Sequence, residues 1–551
     1  MSGLHTGQNT LSDDARTLLF YPDEPFEYGE TVTVAIGSGL RTAGGDPIRD
    51  TVYRFSTVER ELTAEEYAAA EADRYPAPPV RHPALPGGTY HTHPEFQNIM
   101  TALVTTSPQN TAAGYLFINA MGNVSPVNMI LEESGEPIYI GLATAGEFVA
   151  DLKIVSYQGV DHLAFHSGLF EGSWSRGTAF VMDNAYTIVD SWTIENGYNA
   201  DFHEFIILDN GHVLLLGYLP TPFDLSPYGG PANGVVYDNV IQLQDTDKNV
   251  LFEWHGIDHF DPLDSYVNLA NSPSDYIHAN AIEMDLDGNL LLSSRHLSEI
   301  TKIDLSTGDI IWRLGGKNNE FTFTNDIGFS YQHDIRRLAN GNISLFDNGN
   351  QHSPPHSRAV EYALDEVGMT VNLVWKYPAD TSLFGPFMGN MQRLDNGNTL
   401  IGWGGLPMFT EALADGTKTY EVEMTDMTYR AFRSEWSAIP AHDPRVALVY
   451  SSSTLTTTVY TSWNGATDIT GYQVFAGADP GSMSLVTTAP RTGFETMVPL
   501  TGLAPDTCVF QVRPVHTDAI PMPYSNLAYR LDQFDCLQLL DLQFFPFIEN
   551  E

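Results

Sequence analysis

FHEFIILDNGHVLLLG (202–217), HANAIEMDLDGNLLLSSRH (278–296), QHDIRRLANGNISLFDNG (332–349) and GNMQRLDNGNTLIGWGG (389–405) are four versions of one design. Each opens on a polar residue, runs through alternating apolar positions, turns at Asp-Gly or Asn-Gly and continues as a second strand. Alternation with period two marks a strand with one buried face, and Asp-Gly or Asn-Gly between two such runs is the strongest short-range hairpin signal. The turn glycines are Gly211, Gly288, Gly341 and Gly397. Outer strands repeat too: NVLFEWHG, GDIIWRLGG and NLVWKYPA place Trp254, Trp312 and Trp375 at equivalent positions. Four strands per repeating unit is the pattern of propeller blades. Two less regular units at 114–142 and 151–194 raise the expected count to six, with five or seven left open.

Working outward, residues 15–57 alternate apolar and polar positions between Pro, Gly and Asp clusters and read as part of a small β-sandwich. TAEEYAAAEADRY (63–75) reads as a short helix with Thr63 as N-cap, followed by a stiff proline-rich linker at 75–88. Beyond 445, the strand spacing and Trp463 suggest a fibronectin type III-like sandwich, and 531–548 ends the chain in apolar strands. The expected class is all-β: an N-terminal β-sandwich (1–60), a helix and linker (61–95), a six-bladed β-propeller (96–440) and a fibronectin type III-like domain (441–551).

The composition narrows function. The chain has 551 residues, and 26 Lys+Arg against 69 Asp+Glu give a formal charge of 26 − 69 = −43. Nucleic-acid and anionic-membrane binders need a basic face, so neither partner is expected. Two cysteines, Cys508 and Cys536, allow one disulfide and exclude a Cys-based zinc site. The start, MSGLHTGQNTLSDD, has no apolar signal-peptide core. The acidity nevertheless suggests a secreted or periplasmic protein whose numbering begins at a processed or truncated boundary.

Propeller geometry would bring equivalent positions of successive blades together at one mouth. His203, His278 and His333 each stand at the entry to a first strand, where the fourth unit has Gly389, and Arg295 follows the hairpin of the His278 unit. Three imidazoles and a guanidinium in an acidic protein make an anion pocket: Arg offers a permanently charged fork, and His can donate, accept or attack. Other candidates have blander readings. His296 is expected to pack between strands, Arg336 and Arg337 to ion-pair, and Glu204 to face away from His203. DTDKN (245–249) and DLDGN (285–289) read as turns and not Ca²⁺ loops. HSPPHSR (352–358) reads as an exposed loop, and Trp403, Phe384 and Phe387 either stack a phenol or fill the core.

HANAIEMDLDGNLLLSSRH, FHEFIILDNGHVLLL and YQHDIRRLANGN together resemble the PAPS-independent arylsulfotransferase family, six-bladed propellers with an N-terminal β-sandwich. The resemblance covers most of 90–440, and its H-x-N…S-S-R-H element is the most specific part. It implies that His333 attacks the sulfur of an aryl sulfate and passes the sulfuryl group to a phenol through a sulfohistidine. It implies further that His278, Arg295 and His203 bind the sulfuryl oxygens and stabilise the departing phenolate, and that Asn280 lines the pocket. The implied partners are an aryl sulfate donor and a phenolic acceptor, with no cofactor, and a homodimer is compatible with this reading. The chain lacks the disulfide that periplasmic members carry near the propeller, and its C-terminal sandwich is an addition to the family's plan. The alternatives are a metal-dependent propeller hydrolase or lactonase that uses the three histidines as ligands, and a non-catalytic extracellular binding propeller.

Overall fold

The computed structural model describes residues 90–530 apart from 123, 379, 380, 452 and 453, together with Cys536 and four strands nearer the start. Residues 1–77 form one compact unit and 78–551 a second. In the first, Gly7–Leu11 pairs antiparallel with Leu18–Pro22, and Thr31–Ile36 with Thr51–Ser56. The helix expected at 63–75, the linker at 75–88 and the apolar end at 531–548, Cys536 apart, lie outside the described residues.

The protein is all-β. Across 90–530 the regular structure is strand, broken only by single-turn 3-10 segments such as Ser226–Tyr228. Between 102 and 434 the strands fall into antiparallel groups of four in chain order, with the two-residue strand Thr322–Phe323 added parallel to the edge of one. Ala279–Met284 to Ile310–Gly315 form one, His333–Arg337 to Thr370–Tyr377 the next, and Asn390–Arg393 to Lys418–Met424 a third. Phe148–Tyr157 to Ile188–Trp192 and Ala200–Ile207 to Val213–Phe223, Gly234–Gln244 and Val250–His255 are two more, joined into one sheet by the single pair Gly177↔Ala200.

The remaining group shows how the ends meet. Tyr115–Ala120, Val127–Leu131 and Pro137–Leu142 receive their fourth strand from far along the chain, Phe432–Ser434. In exchange, Ala102–Thr106 adds a strand to the edge of the group that ends at Met424. Each terminal segment thus covers an edge that would otherwise be left to pair with another chain. The shortness of the FRS segment (432–434) hides it from a periodicity search.

The hairpin turns follow the sequence signal with one difference in detail. Gly211, Gly288, Gly341 and Gly397 all have φ between +81° and +88°, the left-handed region that favours glycine. The loops span three residues and not two, with Leu208, Asp285, Leu338 and Leu394 bonded to the residue four positions on. DTDKN and DLDGN are such turns. The tryptophans latch neighbouring groups. Trp254 Nε1 donates to Gly308 O at 3.0 Å, Trp312 Nε1 to Glu366 Oε2 at 3.0 Å, and Trp375 Nε1 to Ala414 O at 3.0 Å, each reaching a turn of the next group. One step earlier, the Lys248 ammonium lies 4.9 Å over the Trp192 ring.

After 445, strands Arg445–Ser451, Thr456–Ser462 and Thr496–Thr501 form one sheet, and Ile469–Gly477, Ser484–Pro490, Val509–His516 and Ala528–Tyr529 another. Trp463 is buried with its Nε1 donating to His442 O at 2.7 Å, and Cys508 and Cys536 form a disulfide.

Arg433 fastens the exchanged strand. It is buried, pairs with buried Glu411 at 3.2 Å and donates to Ala112 O. Removing one member of a buried pair strands the other's charge. Arg433→Met is therefore expected to lower unfolding stability by about 3–5 kcal/mol in urea titrations, and Arg433→Met/Glu411→Leu to recover much of the loss. A double variant no better than the single would contradict the pairing.

Candidate active site

The first strands of three successive groups bring His203, His278 and His333 together, and all three side chains are buried. The His203 and His278 ring centroids are 5.0 Å apart, and those of His278 and His333 are 6.4 Å apart. Local backbone irregularity aims them. The pairing of each of these strands with its hairpin partner slips in register near the histidine, between Ala200 and Phe205, Ala279 and Ala281, and His333 and Arg336. A bulge re-aims side chains that regular pleating would send to the two faces in turn. Asn390–Arg393, which carries no histidine, pairs without a slip. Gly389 has φ +99°, and a Cβ there would meet the Phe346 ring at 2.6 Å, so that position has no room for an imidazole.

Behind each ring stands a different partner. His203 Nδ1 bonds Asp201, whose other oxygen accepts from Ser175 N at 2.6 Å and Ser175 Oγ at 3.2 Å. His278 Nδ1 lies 2.6 Å from Asp275 Oδ2, which also accepts from Ser173 Oγ at 2.9 Å. His333 Nδ1 lies 2.7 Å from Asn348 Oδ1, and its Nε2 accepts from Met388 N at 3.3 Å. Burial, reinforced by the Arg295 charge and the His278 ring, pushes His333 well below the ordinary imidazole range. Burial also lowers His278, against the pull of Asp275. Asp201 remains below the usual carboxylate value because contact with His203 outweighs burial.

Arg295 completes the cluster. It is buried, its guanidinium lies 4.8 Å over the Tyr331 ring, one nitrogen donates to Pro386 O at 2.9 Å and another meets His296 Nε2 at 2.6 Å. His296 Nδ1 in turn bonds Asp275 O, and its ring is 4.7 Å from that of His278. His296, expected between strands, therefore stands within the cluster and braces Arg295. Asn280 is fully buried, with Nδ2 donating to Gln332 O at 2.7 Å and Oδ1 without a hydrogen-bond partner.

Below the histidines lies a closed ionic floor. Arg430 is fully buried and pairs with Asp151 at 3.1 Å, Glu204 at 3.1 Å and Asp334 at 3.3 Å. Arg336 adds bonds to Glu204 and Asp334 at 2.7 Å, and Lys153 reaches Glu204 at 3.0 Å. Glu204 thus serves the floor and not His203, and Arg336 and Arg337 are ion-paired as expected, the latter to Asp285 and Glu366. To the side, Phe148, Phe202 and Tyr429 pack with Met121 and Met388. Phe202 stacks 4.0 Å from the His203 ring, and the Phe170 ring, 53% exposed, leans on Phe148 at 5.4 Å. This apolar wall was not singled out in the sequence, where Trp403, Phe384 and Phe387 drew attention. Trp403 is core, packed on Phe346. The HSPPHSR loop is less exposed than expected, because His352 is held by Asp347 at 2.8 Å.

Asp201, Asp275 and Asn348 are also absent from the sequence reading. The first two left a faint signal, a carboxylate two and three residues before a strand-entry histidine. Asn348 left none, since it reaches His333 across a hairpin. The atoms of Asp275, His278 and His296 lie within 4.8 Å of one another, close enough to be weighed as a metal set. The set does not fit: Nδ1 of both histidines is bonded to Asp275, and the Arg295 guanidinium occupies His296 Nε2, where it would repel a divalent cation.

Residues 161–425 match the family described as arylsulfotransferase (ASST). No curated protein matches the chain. Solved structures with partial likeness include a protein of unknown function from Bacteroides caccae (14% identity, 58% of this chain and 98% of that one, TM-score 0.37). Others are virginiamycin B lyase from Staphylococcus aureus (10%, 67% and 97%, TM-score 0.32) and apo AztD from Citrobacter koseri (10%, 58% and 98%, TM-score 0.32). At these scores none bears on the fold or chemistry of this chain. The matched stretch contains all three histidines, Asn280 and Arg295, and over it the chain is similar to the arylsulfotransferase (ASST) family.

Proposed function

We propose that the chain is a PAPS-independent arylsulfate sulfotransferase that works by a ping-pong mechanism through a sulfohistidine at His333. The observation that carries the proposal is the buried convergence of three imidazoles and one guanidinium with unlike partners behind them. In the first half-reaction an imidazole nitrogen of His333 gives its lone pair to sulfur. The bond from sulfur to the aryl oxygen breaks, its electron pair leaves with that oxygen, and a proton from His203 or His278 converts the phenolate to phenol. A phenolic acceptor reverses these steps. Arg295 and the two carboxylate-backed imidazoles meet the charge that spreads over the sulfuryl oxygens, where fixed donors act most strongly. Asn280 lines the pocket, and Phe148, Phe170 and Phe202, packed edge to face, offer the aryl ring an apolar wall beside His203.

We read the six four-strand groups as blades of one propeller, a reading favoured by the repeated tryptophan latches and the exchanged end strands. The paired sheets after 445 are consistent with a fibronectin type III-like domain, and the strands before 57 with a sandwich. A secreted or periplasmic location accords with the acidity and with the Cys508–Cys536 disulfide, since such bonds persist in oxidising compartments. Among the described residues, no helix is long and apolar enough to cross a membrane.

Release of 4-nitrophenol from its sulfate ester should depend on an added phenol. His333→Ala should lower the rate by about four orders of magnitude or more. Arg295→Ala should lower it by roughly a hundredfold to a thousandfold. A rate indifferent to the acceptor, or an active His333→Ala variant, would exclude the mechanism.

The charges around the pocket predict a proton coupling. Arg295 offsets one of Asp201 and Asp275, and the floor cations Lys153, Arg336 and Arg430 face Asp151, Glu204, Asp334 and Glu283, the last pushed up to about 7 by burial, so an arriving sulfate monoanion meets a residual negative charge. Burial keeps His278 neutral in the free site, and the bound anion raises its proton affinity. Calorimetric titration of His333→Ala with 4-nitrophenyl sulfate at mildly alkaline pH, in buffers of different ionisation enthalpy, should therefore show proton uptake. Binding without uptake would contradict the role of the carboxylate-backed histidines.

A further inference from the structure

We propose that Asn348 is the positioning residue that makes His333, and not either neighbouring histidine, the attacking group, and that it directs the attack through Nε2. The inference rests on the sulfuryl-transfer reading above and deepens it.

The orientation of the Asn348 amide is set from outside the site. Its Nδ2 donates to Gly385 O at 2.7 Å and to Met388 O at 2.9 Å. Turning the amide over would set its oxygen against two carbonyl oxygens, so Oδ1 must face His333. An oxygen 2.7 Å from Nδ1 can only accept, which puts the ring proton on Nδ1 and leaves Nε2 bare. The Met388 N–H, aimed at Nε2 from a different segment, requires the same tautomer. Its 3.3 Å length makes it a weak bond that an incoming sulfur displaces.

The contrast with the other two rings gives this arrangement its chemical meaning. A carboxylate stands behind Nδ1 of both His203 and His278, and at His278 its pull towards the charged ring works against burial. A neutral amide supplies the same geometry without the charge, so His333 keeps its lone pair. The groups that face His333 are Arg295, His278 and His203, with Asn348 and the Met388 N–H. Both carboxylates adjacent in sequence are committed elsewhere: Asp347 to Arg358 and His352 at 2.8 Å, and Asp334 to Arg336 and Arg430. After attack through Nε2 the ring carries Nδ1–H and the sulfuryl group and is cationic. A neutral acceptor leaves that cation a good leaving group for the second transfer, whereas a carboxylate would stabilise it.

The test needs no substrate at first. In the full chain labelled with ¹⁵N-histidine, with His333→Ala to assign the signal, His333 should appear as the neutral Nδ1–H form from mildly alkaline to mildly acidic pH. An Nε2–H tautomer, or an average of the two, would overturn the proposal whether or not Asn348 variants fold. In Asn348→Asp, the His333 titration should move up by about one to three pH units. The acid limb of kcat/KM for 4-nitrophenyl sulfate should move with it, with activity regained at higher pH. A uniform loss of rate with the limb unmoved would mean that Asn348 is structural only. A correct tautomer in a protein with no acceptor-dependent release would instead overturn the sulfuryl-transfer reading.

Discussion

The buried Arg430 network is the constraint on which the site depends. One guanidinium, two residues ahead of the exchanged strand, pairs with carboxylates from the strands of three different groups, and it donates to Asn280 O at 3.1 Å on a fourth. Tyr429 beside it donates to His203 O at 3.2 Å and Asn280 O at 3.1 Å. A charge so deep is tolerable only when fully paired, so the strand entries cannot shift independently. The backbones that carry His203, Asn280 and His333 are thereby held in register with one another, which reacting groups at ångström tolerances require.

The same network reconciles the chain's overall charge with an anionic substrate. The excess of acid over base is spread along the chain, and the floor sets three cations against four carboxylates, of which burial pushes Glu283 up to about 7. Above it the balance is set by Arg295 against Asp201 and Asp275, with burial lowering His278 against the pull of Asp275. On the proposed reading, selectivity for a sulfate ester would come from where protons sit and not from a surplus of fixed positive charge.

Much of this was legible in the sequence, and the unread parts have physical reasons. The turn glycines, the outer tryptophans and the three strand-entry histidines repeat at spacings that only convergent, equivalent strands explain. Arg295 was found because it follows a recognisable hairpin. The exchanged strands were not found, since a three-residue strand at 432–434 has no period to detect. Nor was the role of Asn348, because its partners Gly385, Met388 and His333 come from two other segments and meet only in the fold. His296 was undervalued because strand alternation would send it away from Arg295, whereas its ring turns back to brace the guanidinium. The aromatic wall of Phe148, Phe170 and Phe202 comes from the less regular early strands, where alternation is weakest.

The central claim is that sulfur passes through covalent attachment to His333. Rapid mixing of the protein with 4-nitrophenyl sulfate in the absence of acceptor, quenching in base and mass analysis of the His333 peptide tests it directly. The account predicts a gain of one SO₃ on that histidine, lost when a phenol is added before the quench. An unmodified His333 peptide, recovered while acceptor-dependent transfer proceeds at full rate, would contradict it.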